Sequence, residues 1–445
     1  MSFSSLYFLF VFLPSFLVIY FIVPAAGRNA FLFAASMVFY MFGAWSRPQY
    51  IGLLLFSAVV NFWIGKAIEK TSLPRLLLSA GIACNLAWLC LFKYSNLLMP
   101  LGISFYTFRS ISYLVDVYRK EVPAAHAFVD FGAYLTFFPQ VISGPIEKYR
   151  EMREELKTRP ASFENIDQGL KQFTIGLGFK MLLADRIGSC WNDIAAIGSE
   201  SISAPVAWMG IFAYSFELYF DFYGYSLMAA GIAKMIGFET PDNFTHPYES
   251  VSMTEFWRRW HMTLGSWFRE YVYIPLGGNR RSMPRVYFNL FVVWILTGIW
   301  HGAGLNFILW GLFLFVVIAL EKAGLKKIME RRRIWGHLYM LFLIPLSWMI
   351  FAIDDVSQIG LYLTRLFDFA GSGSETVFAG DFAKFAELYG ILLLVCAVFS
   401  TSLPERLIAR IKDNLLGTVV LFVIFWASVY LIYLGLSDPF MYFRF

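Results

Sequence analysis

Two histidines carry the chemistry that this sequence can offer. His301, in Trp300-His301-Gly302, lies inside Val286 to Leu320, a run without a single Asp, Glu, Lys or Arg. His261 closes an earlier block, Phe256-Trp257-Arg258-Arg259-Trp260-His261. An imidazole in such apolar surroundings is costly unless it is paired or put to use. Its near-neutral pKa suits it to taking and returning a proton. The pair predicts proton transfer carried out within a bilayer, with His301 as the base and His261 beside it.

The residues around the histidines suggest what they act on. Read as a helix, the segment from Thr254 to Tyr271 is capped by Ser252 or Thr254. It then carries an apolar stripe through Trp257, Trp260, Leu264, Trp267 and Tyr271. Arg258, His261 and Gly265 fall on the neighbouring face. A turn follows at Pro275-Leu276-Gly277-Gly278-Asn279, then Arg280, Arg281 and Arg285. Arginines beside exposed turn amides suit a phosphate; a positive cytoplasmic loop is the plainer reading of the same residues. Arg258, Arg259, Arg280, Trp257 and Trp260 are therefore the candidates for binding an anionic donor.

Further polar groups are candidates for lining a tunnel: Asp221 and Tyr223, Trp300, Ser104 and Tyr106, and Gln140. Glu217 and Asp221 are four apart and share a helix face. Buried there, they need a partner, and Lys234 or an arginine is expected. As a proton relay they would instead suit a transporter. The chain has no HExxH, GxSxG or phosphate-loop motif, and Cys84, Cys90, Cys190 and Cys396 lack metal spacing. No metal or bound cofactor is expected, and nothing points to nucleic acid.

The elements that must hold these residues are transmembrane helices. Of the 445 residues, 58% are hydrophobic and 15% charged, and mean hydropathy is +0.60; such a composition excludes an ordinary soluble domain. Apolar runs recur along the chain, each near the roughly 20 residues that one span needs. The expectation is an all-α polytopic membrane protein, a single domain over 1–445. It should have about 11 transmembrane helices plus re-entrant or in-plane helices. The run from Val286 to Leu320 is too long for one span and should divide at Gly302-Ala303-Gly304. Pro100 to Phe108 reads as a re-entrant element, Glu147 to Arg159 as a solvated amphipathic segment, and Phe367 to Lys384 as an extramembrane loop. Basic residues from Lys322 to Arg333 place that loop in the cytoplasm.

Taken together, these blocks resemble the membrane-bound O-acyltransferase family. Glu-Phe-Trp-Arg-Arg-Trp-His and the later Trp-His-Gly are similar to its two histidine regions, in the same order. Pro-Leu-Gly-Ile-Ser-Phe-Tyr-Thr-Phe, Ser-Gly-Pro-Ile and Asp-Phe-Tyr-Gly-Tyr-Ser extend the likeness over most of the chain. Tyr-Ile-Pro-Leu-Gly-Gly-Asn-Arg resembles the branch that serves O-acetylation of alginate and related exopolysaccharides. The resemblance implies a funnel-shaped helix bundle in a bacterial inner membrane, with His301 and His261 at a tunnel joining its two sides. It implies acetyl-CoA or another acyl thioester as donor substrate. The implied partners are an extracytoplasmic acetyltransferase and a polysaccharide acceptor. The alternative is D-alanyl or other acyl transfer from a carrier-protein thioester to teichoic acid or a partner protein. A proton-coupled transporter built on Glu217, Asp221 and Lys234 is the reading from a different class.

Overall fold

The computed structural model describes residues 2–95, 97–160, 162–369, 377–378 and 380–441. Among them there are only helices, turns and loops, and no strand. In chain order the α-helices are α1 (Leu13–Ile22), α2 (Arg28–Gly43), α3 (Gln49–Lys70), α4 (Pro74–Tyr94), α5 (Ile103–Tyr118), α6 (Phe128–Leu135), α7 (Tyr149–Lys157), α8 (Phe163–Gly178), α9 (Asp185–Ile197) and α10 (Ala204–Met235). Then follow α11 (Met253–Arg259), α12 (Met262–Phe268), α13 (Met283–His301), α14 (Leu305–Leu320), α15 (Lys326–Arg331), α16 (Arg333–Ala352), α17 (Val356–Phe367), α18 (Asp381–Phe399), α19 (Ser402–Ile411) and α20 (Leu415–Tyr433). Of the expected loop from Phe367 to Lys384, Gly371-Ser372-Gly373-Ser374 lies outside the described residues.

Among the described residues, seven helices are long and apolar enough to cross a membrane: α3, α4, α13, α14 with its continuation to Arg331, α16, α18 and α20. The protein is a multi-pass membrane protein. Other helices are enclosed by the protein itself. α5 is the clearest case: from Ile103 to Leu114 every residue is buried, and α3 and α4 pack against it. The expected re-entrant element at Pro100 is the entrance to this helix, where Gly102 takes a left-handed conformation (φ 68°). A Cβ there would stand 2.0 Å from the carbonyl oxygen of Val141. α10 runs 32 residues without interruption. The charged segment after Pro145 does form an amphipathic helix, α7, but Glu147 ahead of it is buried rather than solvated.

The chain forms two compact units. The first comprises 1–177, 224–242 and 432–435; the second comprises 178–223, 243–431 and 436–445. In the first, α2, α3 and α6 pack around a cluster of aromatic rings that includes Phe62, Phe128 and Phe131. In the second, α13 and α14 form a tight helical hairpin. Its turn falls at Gly302 to Gly304, where the sequence predicts the division. Gly298 and Gly311 let the two backbones touch. A Cβ on Gly298 would lie 2.3 Å from the Phe307 carbonyl oxygen, and one on Gly311 2.5 Å from that of Trp294. This is the small-residue packing that apolar helices use in a membrane.

Candidate active site

α11 begins with a capping arrangement written in its sequence. Ser252 Oγ accepts the Glu255 amide at 3.2 Å, and Glu255 Oε2 accepts the Val251 amide at 3.0 Å. Of the two caps considered, Ser252 is the one used. A second carboxylate, Glu321, lies beneath the same helix end and is 1% exposed. It accepts the amides of Met253 (2.6 Å) and Thr254 (2.8 Å), together with the hydroxyls of Thr254 (2.5 Å) and Tyr339 (3.2 Å). A negative charge on otherwise unpaired N-terminal amides is stabilised by hydrogen bonding and by the helix dipole. The sequence reading places Glu321 at the edge of a charged loop and misses this role.

The helix expected to run from Thr254 to Tyr271 is broken. α11 stops at Arg259 and α12 starts at Met262, with His261 between them in the left-handed region (φ 42°, ψ 53°). The loop at 243–245 causes the break. Its Asn243 carbonyl accepts the Met262 amide at 2.9 Å, and its Thr245 amide donates to the Arg259 carbonyl at 3.0 Å. These bonds replace helical ones. The kink redirects the chain so that the two faces separated on a straight helix serve one cavity.

That cavity has a volume of ≈ 230 Å³ and is formed by residues of the second unit. His261 and His301 both line it. So do Trp257, Trp260, Arg258 and Arg269. His301 is the last residue of α13 and is 6% exposed. Aromatic rings hold it: Trp300 at 4.5 Å between centroids, Phe351 at 5.0 Å and Trp310 at 5.1 Å, the last two edge-on. His261 is 2% exposed and sits edge-on to Phe222 at 4.6 Å. Its Nδ1 lies 3.0 Å from Asn243 Oδ1. Burial pushes its pKa down to about 3, so the ring is neutral at physiological pH. The walls are tryptophan: Trp257 meets Trp294 at 5.1 Å, and Trp260 meets Trp348 at 4.9 Å.

The other predicted residues fall elsewhere. Arg259 does not line the cavity; its guanidinium binds Glu255 at 2.6 Å. Arg280 is exposed beyond the Gly277-Gly278 turn and also does not line it. The turn connects to the cavity through Asn279, whose Oδ1 accepts the hydroxyl of Tyr273 at 2.7 Å, and Tyr273 is a lining residue. Tyr223 packs on Phe179 and Tyr219, on α10. Ser104, Tyr106 and Gln140 are buried in the first unit, Gln140 donating to Glu147 at 2.7 Å.

Asp221 has a partner that the sequence reading does not name. Lys180 Nζ lies 2.7 Å from Asp221 Oδ1 and 2.6 Å from Asp185 Oδ1, and all three side chains are buried. Lys234 pairs with Glu239 at 2.6 Å instead. Lys180 was missed because it stands in a different apolar run, forty residues earlier, with no periodicity linking it to α10. Asn243 and Arg269 were missed as well. Only the fold brings Asn243 under His261, whereas Arg269 was visible at two helical turns from His261. No group of His, Cys, Asp and Glu among the described residues is arranged to hold a metal ion.

A multi-pass helical protein with two histidines facing one tryptophan-walled cavity fits a transferase working inside a membrane. The chain belongs to the membrane-bound O-acyltransferase (MBOAT) family, whose family profile matches residues 117–349, and it is an acyltransferase. It is 38% identical over 400 residues to the probable alginate O-acetylase AlgI of Azotobacter vinelandii, covering 83% of this chain and 78% of that protein. It is 36% identical over 374 residues to the peptidoglycan O-acetyltransferase of Helicobacter pylori, covering 72% of this chain and 70% of the relative. To the teichoic acid D-alanyltransferase of Bacillus subtilis it is 31% identical over 234 residues, covering 49% and 58%.

Proposed function

We propose that this protein is an O-acetyltransferase of a bacterial inner membrane. It takes acetyl from a cytoplasmic thioester, acetyl-CoA, and passes it to an extracytoplasmic acceptor for O-acetylation of an alginate-like exopolysaccharide. The observation that carries the reading is the cavity shared by His261 and His301 with arginines at its edge. The likeness to alginate and peptidoglycan O-acetylating proteins supports acetyl as the group and a polymer as the destination.

In this mechanism His301 removes the proton of the acceptor hydroxyl as the oxygen attacks the thioester carbonyl. The C–S bond then breaks, and the protonated imidazole returns its proton to the leaving thiolate. The products are an O-acetyl ester and a free thiol, with no acyl-enzyme. His261 orients the donor or stabilises the charge that develops. Arg258 and Arg269 draw the anionic donor toward the cavity. Tyr223 and Trp300, both of the second unit, are assigned to the wall of the acceptor route. The acceptor is a separate extracytoplasmic acetyltransferase that completes delivery to the polysaccharide. Purified protein in lipid vesicles, given labelled acetyl-CoA and extracts of candidate partners, should transfer label to a partner or polymer. A folded His301→Ala variant that still supports full polymer acetylation in cells would overturn the reading.

D-alanyl transfer from an acyl carrier protein is the second reading, favoured by the likeness to teichoic acid D-alanyltransferases. Discharge of a charged carrier protein, with no turnover of acetyl-CoA, would select it.

A further inference from the structure

We infer that Asn243 is a positioning residue for the transfer reaction: its amide oxygen holds the proton of His261 on Nδ1 and leaves Nε2 as the basic atom His261 contributes. The inference rests on the cavity being the transfer site. Three groups converge on Asn243 Oδ1. They are His261 Nδ1 at 3.0 Å, Thr263 Oγ1 at 2.9 Å and the Thr263 amide at 3.4 Å. The Thr263 amide can only donate, so the atom facing it is the carboxamide oxygen and not its nitrogen. An oxygen there requires Nδ1 to carry the hydrogen, and a neutral imidazole with Nδ1–H has its lone pair on Nε2.

The surroundings are built to keep this arrangement. His261 occupies a left-handed backbone conformation that non-glycine residues adopt at a cost. The Asn243 carbonyl accepts the next amide, Met262, at 2.9 Å. Asn243 therefore grips the turn by backbone and side chain together. The edge-on ring of Phe222 limits rotation of the imidazole on its other side.

The consequence refines the role of His261. A bare Nε2 cannot donate a hydrogen bond to an oxyanion, so stabilisation of developing negative charge by neutral His261 is ruled out. It can accept one, and the thioester arm of coenzyme A or of a carrier protein carries an amide N–H a few bonds from the reacting sulfur. His261 orients the donor by accepting from that amide. Proton removal from the acceptor is left to His301.

The test begins with a spectrum that needs no activity. Full-length protein, labelled with 15N only at its five histidines, is placed in lipid bilayers and observed by solid-state NMR, with His261→Gln used to assign the signal. His261 should carry its hydrogen on Nδ1; an Nε2–H tautomer in the native protein overturns the inference. Asn243→Leu should lose the fixed tautomer and lower kcat/KM for acetyl-CoA at least tenfold. An unchanged tautomer and unchanged kcat/KM in a folded Asn243→Leu protein overturn it as well. Asn243→Asp keeps an acceptor in place, so it carries the test if the leucine variant does not fold. It should preserve Nδ1–H and, by stabilising imidazolium, move the His261 titration upward; a titration at the native pH overturns the inference. The other titratable groups around the cavity are Arg258, Arg269, Tyr273 and His301, and α10, whose Phe222 meets the ring, also carries Glu217, Tyr219, Asp221 and Tyr223. An Nδ1–H tautomer in a protein that transfers no acetyl would reject the proposed function, and with it the positioning role, while the tautomer assignment stands.

Discussion

The second unit holds two buried polar clusters, and they solve the same problem in opposite ways. Lys180 bridges Asp185 and Asp221 at 2.6–2.7 Å. The carboxylate oxygens turned away from the lysine are taken up by backbone amides, those of Met441 at 2.8 Å and Asp438 at 3.3 Å. Every strong charge there is answered by the protein. The His261 and His301 cluster uses aromatic walls instead of counter-charges and encloses space. A closed ion cluster fixes structure, whereas a cavity edged by weak bases has room for a reacting molecule. The contrast assigns Asp221 to holding the C-terminal segment and the histidines to chemistry.

The largest effects should separate the two clusters. His301→Ala is expected to lower acetyl transfer by about 10²–10⁴-fold, the usual worth of a positioned base, while the amount of folded protein in the membrane stays near normal. Lys180→Met should do the reverse. It strands two buried carboxylates, a change that costs about 3–5 kcal/mol when one partner of a buried pair is removed. Thermal unfolding in detergent and the transfer rate per folded molecule would be measured on both. A Lys180→Met protein of native stability that transfers no acetyl would place the triad in the reaction and erase the distinction.

A smaller effect is expected at Glu321, which belongs to neither cluster but supports one of them. Glu321→Ala removes the acceptor for two buried amides, a loss of about 1–3 kcal/mol for each group left unpaired. Because α11 carries Trp257, Arg258 and Trp260 to the cavity, the loss should appear as lower thermal stability together with a raised KM for the donor. Native stability and native KM in Glu321→Ala would show that Ser252 alone holds the helix end. At the cavity edge, Arg258→Ala should raise KM for acetyl-CoA and weaken its salt dependence. Arg259→Ala should change neither, because Arg259 is turned to Glu255. Initial rates at two ionic strengths would decide.

The sequence made the outlines readable where one residue or one run was enough. His301 stands out because nothing charged surrounds it. The hairpin at Gly302 is visible because 35 apolar residues exceed one span. The helix start is visible at Ser252 or Thr254, and the structure selects Ser252. What could not be read depends on contact between distant segments. The αL turn at His261 is imposed by residues 243–245, and local periodicity across Thr254 to Tyr271 argues for an unbroken helix. Lys180 and Asp221 meet through packing alone. Composition alone does not set the number of spans, because a helix such as α5 is enclosed by other helices of the protein.

The smallest prediction concerns the cost of keeping His261 neutral. Its pKa is lowered from 6.5 to about 3 by burial, so the unfolded chain binds a proton at a pH where the folded chain does not. Stability from this source is complete above about pH 6.5 and is lost as pH falls toward 3, at about 1.4 kcal/mol for each pH unit. Between pH 6.5 and pH 5 the loss is about 2 kcal/mol. Asp185 of the triad, pushed up to about 6 by burial, gives a slope of opposite sign over part of this range, so only the difference between the native protein and a His261 variant isolates the cavity. His261→Gln, which cannot titrate, should flatten the fall in unfolding temperature over this range relative to the native protein. An identical slope in both would mean that His261 is open to protons from solvent, and the cavity would then differ from the triad in shape but not in how it excludes charge.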